Sequence, residues 1–327
     1  NLYELDPAVA TEALIVGDLG AGWGRLGHLL LQINPRIRYL VFDIPESLLL
    51  SSDYLPRLLP GVGHSRYTET RAIGSLTRDM LMGKRPHDYD VATSALPDQV
   101  VALFRRTQKV GEKFGVVLVR IGKFAIEVAT FRTDLDYEHG RRPIAVRFTN
   151  ARDDAARRDF TINGMFFDPI ARKVVDHVGG RQDLEAKVLR AIGEPKRRFE
   201  EDHLRILRAI RFAARFGFII ERATWAAMSA EAESLRRISP ERVLEELDAI
   251  LSHPSRARGF ADLDASGALR FLWPGAEKLV AHSDRIRAVL AALPADADFE
   301  LAFAAVLHPL NTDEVEDACT ALRCSNY

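Results

Sequence analysis

Apolar and polar positions change rhythm along this 327-residue chain. Near the start a short apolar run, Leu14-Ile15-Val16, leads into the glycine turn Asp18-Leu19-Gly20-Ala21-Gly22-Trp23-Gly24. A helix-periodic stretch follows over 25–33, and a second apolar run, RYLVFD, ends at Asp43. Strand, glycine turn, helix, strand, acid is the order of a βαβ unit. From about Leu76 the pattern differs. LTRDMLMGKRPHDYDVATSALPDQVVALF reads as helix, loop, strand, turn, helix. KVGEKFGVVLVRI and KFAIEVATFR then predict two strands turning at Gly122-Lys123. In the second strand Ala125, Glu127 and Ala129 share one face, and Phe124, Ile126 and Val128 the other. The polar segment DYEHGRRP, Asp136 to Pro143, predicts a mobile loop. After about Leu189 the pattern is helical to the end. The expected segments are therefore 1–70, 71–190, 191–250 and 251–327.

Composition narrows the class. A hydrophobic content of 47% supports at least two cores. The net charge of −1 gives no global basic signal, so any nucleic acid must meet a local patch. Cys319 and Cys324 make no metal spacing and no disulfide framework, which fits a reducing cytosol and predicts a cytoplasmic protein. There is no run of about 18 apolar residues and no signal peptide, so no membrane span is expected. The chain starts at Asn1 and stops at Tyr327 without a closing element, so both ends are expected to be cut.

The residues that carry chemistry begin with PHDYDVATSAL, Pro86 to Leu96. Asp88 and Asp90 sit two apart at the start of a strand, so their carboxylates point the same way. Two such groups repel unless a cation lies between them, and hard oxygen ligands suit Mg²⁺. The matching chemistry is two-metal phosphoryl transfer. Glu127 is either a third carboxylate beside them or a solvent-facing residue on a half-buried strand. In the first segment Gly20, Gly22 and Gly24 would let a cofactor approach a helix N-terminus, with Asp43 on ribose hydroxyls. The same residues also fit a turn with no ligand. Further on, Asp202, Arg205, Arg208, Arg211 and Arg215 fall at steps of three and four, beside the apolar stripe Leu204, Leu207, Ile210 and Ala214. Periodicity alone predicts an exposed helix laced with ion pairs. Arg157-Arg158-Asp159 alone likewise reads as an exposed ion pair.

Five stretches of the chain resemble, in order, the class II tRNA nucleotidyltransferases and bacterial poly(A) polymerases. RDMLMGKRPHDYDVAT resembles the catalytic motif, ARRDFTINGMFFDP the ribose-binding motif, and DHVGGRQDL the hinge motif. RFEEDHLRILRAIRFAARFGF resembles the base-recognition helix, and ISPERVLEEL the helical motif after it. The resemblance covers residues 76 to 327. It implies an α+β fold: a polymerase β-like nucleotidyltransferase head with a mixed five-stranded sheet, then an all-helical neck and body. It implies addition of C and A to a tRNA 3′ end without a nucleic-acid template, with Mg²⁺, CTP, ATP and tRNA as cofactor and partners. Asp88 and Asp90 would bind metal. Arg78, Arg158 and Asp159 would contact the nucleotide's triphosphate or sugar, and Gly74, Ser75, Arg157 and Asn163 would also bind the nucleotide. Asp202 and Arg205 would read the base edge, with Arg208 assisting. The neighbouring Lys196, Arg197 and Arg198 are candidates for RNA backbone contact. One departure stands out: the family's paired glycines appear here as Gly74-Ser75, whose Cβ would crowd a close backbone approach.

GDLGAGWGRLGHLL and YLVFDIPESLLLSSDYL resemble part of a sugar O-methyltransferase, which makes the first 70 residues a partial Rossmann-like segment and implies S-adenosylmethionine on Gly20, Gly22, Gly24 and Asp43. Three other readings therefore stay open: a poly(A) polymerase on the same scaffold, a methyltransferase in the first segment, and an inactive chimera or fragment.

Overall fold

The computed structural model describes residues 15–19, 38–42, 71–72, 74–84, 90–104, 106–110, 114–121, 124–138, 142–168, 171 and 173–324. Strands β1 (Ile15–Leu19) and β2 (Arg38–Phe42) pair in parallel, Ile15 opposite Arg38 and Leu19 opposite Phe42. Parallel pairing is what a βαβ unit requires. The glycines Gly20, Gly22 and Gly24 and the acid Asp43 lie outside the described residues.

The described residues up to Thr133, with Ala145–Arg157 and Asn163–His177, form one compact unit. Its elements are β3 (Arg71–Ala72), α1 (Gly74–Leu81), β4 (Val91–Thr93), α2 (Pro97–Leu103), β5 (Thr107–Lys109), β6 (Val116–Ile121), β7 (Phe124–Thr130), the first two residues of β8 (Arg132–Glu138), the last four of β9 (Arg142–Phe148), α3 (Ala151–Ala156), β10 (Phe166–Asp168) and β11 (Lys173–Val175). Seven of the strands make one mixed sheet in the order β11-β10-β3-β4-β7-β6-β5. The parallel β4–β7 pair lies inside an otherwise antiparallel sheet. Period-2 alternation in β7 is as expected: Ile126 and Val128 are buried while Ala125 and Glu127 are exposed. Ile126 and Val128 join Val117, Val119, Ala95 and Val100 in the core under α2.

Two expectations are corrected here. The sheet has seven strands rather than five, and several are very short: β3 has two residues, and β5, β10 and β11 three each. Runs that short carry too little alternation to register. The loop expected over Asp136 to Pro143 is largely strand: β8 and β9 form a two-stranded sheet of their own that takes in 136–138 and 142–143. None of the ribbon residues with described burial, 132–135 and 145–148, is buried, and such a ribbon needs no apolar alternation, so its polar sequence reads as loop.

The second unit comprises Asp134–Ile144, Arg158–Ile162 and the chain from Val178 onward. It contains α4 (Gly180–Ala186), β12 (Val188–Leu189), α5 (Pro195–Glu201), α6 (Arg205–Phe216), β13 (Ile219–Ile220), α7 (Arg222–Ala230), α8 (Pro240–Leu251), α9 (Arg256–Ala265), α10 (Ser283–Ala292), α11 (Phe299–Leu307) and α12 (Thr312–Ala321). Helix α5 starts where sequence rules place it: Pro195 follows the N-cap Glu194, whose carboxylate accepts from the amides of Lys196 and Arg197 at 3.2 and 2.8 Å. Helix α6 is the centre of the unit and packs on α8 and α9. Ile206, Leu207, Ala209, Ile210 and Ala213 are wholly buried there. Helices α8 and α9 approach closely at Gly259, where a Cβ would stand 2.6 Å from Cγ2 of Ile250. Only glycine fits such a crossing. Among the described residues no helix is long and apolar enough to cross a membrane.

The turn between α5 and α6 buries His203, whose Nδ1 has no hydrogen-bond partner. Burial lowers its pKa below the ordinary 6.5; Arg237 adds to this, while a bond to the Phe199 backbone and the charges of Glu231 and Asp202 oppose it. The unfolded chain therefore takes up this proton first as pH falls. Stability from neutral His203 is complete above pH 6.5 and is lost below it, down through the folded pKa. The urea midpoint of the native chain should drop more between about pH 7.5 and about pH 5.5 than that of a His203→Phe variant. Equal drops would rule out this titration as a source of acid sensitivity.

Candidate active site

The carboxylates are positioned by the β4–β7 pairing. Val91 lies opposite Val128, Ala92 opposite Ala129 and Thr93 opposite Thr130. Val91 and Val128 both pack into the core under α2. One residue back along both strands, the same register sets Asp90 level with Glu127 on the other face. Asp90 is half-buried and Glu127 exposed. Asp88 lies outside the described residues, and among those described no cluster of three or more His, Cys, Asp or Glu side chains forms a metal site.

In the same unit, Gly74 and Ser75 open α1 rather than forming a free glycine turn. One turn on, Arg78 is buried and grips two partners. Its Nε and Nη2 donate to Oδ1 of Asp79 at 2.8 and 2.7 Å, and its Nη1 donates to Oδ1 of Asn163 at 2.7 Å. Asn163 is itself buried. Two residues that the sequence places 85 apart are thus brought together. Arg157 has a structural role. Its Nε donates to the carbonyl of Arg132 and to Oδ1 of the buried Asp154, both at 2.9 Å, and its Nη2 meets the same carboxylate at 2.7 Å. It is an ion pair, but a largely buried one that ties α3 to β8, unlike the exposed pair expected.

In the second unit Arg158 is half-buried and Asp159 buried. Oδ1 of Asp159 accepts from the Phe160 amide at 2.7 Å, and Oδ2 accepts from Nε and Nη2 of Arg208 at 2.9 and 2.6 Å. Burial opposes the charge on Arg208, but the carboxylates of Asp159 and Glu246 outweigh it and hold the guanidinium above its ordinary pKa. Arg208 also lies 5.3 Å from the Phe212 ring centre.

The exposed-helix expectation for α6 is overturned. Arg205 is buried; its Nη1 donates to Oε2 of Glu201 and to the Arg198 carbonyl, each at 3.0 Å. Arg211 meets Glu246 on α8 at 2.7 Å. Asp202 and Arg205 turn to different partners. Oδ1 of Asp202 accepts from the Leu204 amide at 3.1 Å, and its Oδ2 meets Arg242 on α8 at 3.0 Å. Of the proposed RNA contacts, Arg198 is turned inward onto Glu201 at 2.8 Å, while Lys196 and Arg197 are exposed and make only longer pairs of 3.8 and 3.3 Å. Such surface pairs are weak and leave both cations able to meet a phosphate.

Sequence reasoning gave Glu201, Arg242 and Glu246 no separate role. Arg242 and Glu246 do carry a signal, since they fall four apart on one face of α8.

The chain matches two family models. Residues 70–190 match the poly A polymerase head domain, and residues 217–279 the probable RNA and SrmB-binding site of polymerase A. It is 39% identical over 262 residues to the CCA-adding enzyme of Streptococcus mutans, covering 79% of this chain and 64% of that protein. It is 42% identical over 205 residues to the CCA-adding enzyme of Geobacillus stearothermophilus, covering 62% of this chain and 50% of that protein. The chain thus spans less than two thirds of these relatives. Its fold is similar to the crystal structure of the Bacillus stearothermophilus CCA-adding enzyme in complex with CTP: TM-score 0.70 at 33% identity, covering 79% of this chain and 62% of the other. A tRNA nucleotidyltransferase complexed with a primer tRNA and an incoming ATP analog shares the fold at TM-score 0.60, over 76% of this chain and 75% of that one. With both family models matched in order on a mixed-sheet head followed by helices, the chain belongs to the class II tRNA nucleotidyltransferase and poly(A) polymerase family.

Proposed function

We propose that this chain adds C and A to the 3′ end of tRNA by phosphoryl transfer, without a nucleic-acid template. The observation that carries this reading is the register that sets Asp90 level with Glu127 on one face of the head sheet, in a chain whose curated relatives are CCA-adding enzymes. Asp88 and Asp90 are the oxygen donors that would hold Mg²⁺, which when bound neutralises triphosphate charge. The hard carboxylate oxygen of Asp90, level with that of Glu127, suits that ion. Transfer of this kind relies on positioning and charge, so no nucleophilic side chain is required.

The contacts support the remaining roles. Arg78, fixed by Asp79 and Asn163, presents a guanidinium of set orientation to an anionic phosphate. Asp159 is held in place by Arg208, and its carboxylate would accept a hydrogen bond from a ribose hydroxyl. Asp202 and Arg205, held by Arg242 and Glu201, would offer acceptor and donors to a base edge from fixed positions.

Nucleotide selectivity tests this assignment. Equilibrium binding should favour CTP and ATP over UTP and GTP, and Asp202→Ala should remove the preference. Arg242→Ala should also weaken the preference, by about tenfold, because a charge-assisted pair that orients Asp202 is lost. Equal binding of all four nucleotides by the native chain would defeat the base-reading role.

A further inference from the structure

Helix α12 ends in a recognisable cap. The amide of Cys324 donates to the carbonyl of Cys319 at 2.9 Å, and the amide of Arg323 donates to the carbonyl of Thr320 at 3.1 Å. These are the six-to-one and five-to-two bonds of a Schellman motif. Arg323 takes the left-handed position with φ 54°, one of two non-glycine residues with positive φ among those described. In this motif the side chains two positions beyond the helix and in its last turn meet each other. Here both of those positions are cysteines, Cys319 three residues before the C-cap Leu322 and Cys324 two beyond it, so the cap sets their side chains against each other. Both are half-buried, so a small reagent can reach them.

We propose that Cys319 and Cys324 are a redox modification site: an intrachain disulfide that staples the C-terminal cap of α12. The sequence alone predicted no disulfide, because a five-residue spacing says nothing until the cap brings the two side chains together. A low-molecular-weight disulfide such as oxidised glutathione is the oxidant. One cysteine thiolate attacks a glutathione sulfur, forming a mixed disulfide and releasing one glutathione thiolate. The second cysteine thiolate then attacks the protein sulfur of the mixed disulfide, forming the Cys319–Cys324 bond and releasing the second. The two cysteines are oxidised, the glutathione disulfide is reduced to two thiols, and the two protons end on those thiols.

Burial first, and then the neighbouring Cys319, pushes the Cys324 thiol up, so the thiolate is scarce at neutral pH. Closure should therefore speed up as pH rises. The staple would lock Arg323 in its left-handed conformation, and with it the contact between Arg323 and Glu241 in the first turn of α8.

The test is to incubate the folded chain with oxidised glutathione, block remaining thiols with a maleimide and measure intact mass. The expected result is a loss of about 2 Da with no glutathione retained and no maleimide added, reversed by dithiothreitol. Trypsin cleaves after Arg323, so the two cysteines should appear in separate peptides joined by a disulfide. Cys319→Ser and Cys324→Ser should each stop at one glutathione adduct. Two stable glutathione adducts per native chain, a disulfide-linked dimer, or full maleimide labelling after prolonged oxidation would each overturn the proposal.

Discussion

Replacing Asp90 with asparagine should abolish nucleotide addition while leaving the fold intact. The substitution keeps size and shape but removes the charge that a phosphate-bound cation requires. A loss on the order of 10³-fold in kcat/KM is expected for a charge acting directly on a phosphoryl-transfer site. Asp90 is half-buried at the strand edge and outside the core under α2, so the urea midpoint should move little. Glu127→Gln should cost less, because Glu127 is exposed and stands level with Asp90 as a third carboxylate. A kcat/KM within tenfold of the native value in Asp90→Asn would remove this residue from the chemistry.

The largest effect on stability should come from Arg256. This arginine is almost fully buried at the start of α9, and it bonds backbone carbonyls rather than a carboxylate. Its Nε donates to Leu251 at 2.7 Å, Nη1 to Pro294 at 2.8 Å, and Nη2 to Ala295 and Ala297 at 3.1 and 3.2 Å. One side chain therefore joins the end of α8 to the loop between α10 and α11. Arg256→Ala would leave four carbonyl acceptors without their donor, those of Leu251 and Ala297 buried, and open a cavity. A loss of about 3–4 kcal/mol is expected from the urea midpoint. Arg256→Lys should recover only part of it, since one ammonium cannot reproduce the planar fork. A loss under about 1 kcal/mol in the alanine variant would show that water takes over these carbonyls.

Arg256 also shows where sequence reasoning ends. Arg258, two residues on, looks the same in the sequence but lies half-exposed in a pair with Asp262. Only tertiary packing separates the two. The motifs were legible because their spacing is local: alternation in β7, the helical step of α6, and the acids at the start of β4. Arg78 with Asn163 and Asp159 with Arg208 were legible as individual residues but not as pairs, since 85 and 49 residues separate the partners. The arginines of α6 misled for a related reason. Steps of three and four describe one face of a helix, but not whether that face meets solvent or the carboxylates of Asp159 and Glu246. The β8–β9 ribbon escaped because its segment 136–143 is polar and carries no apolar alternation.

The most direct measurement is incorporation of labelled CTP and ATP, singly and together, onto tRNA lacking its 3′ end, with Mg²⁺. The native chain should incorporate CTP and then add ATP when both are present, and an Asp88→Ala, Asp90→Ala double variant should do neither. ATP-only tailing would point to a poly(A) polymerase. Incorporation that survives in the double variant, or none from the folded native chain, would contradict the account.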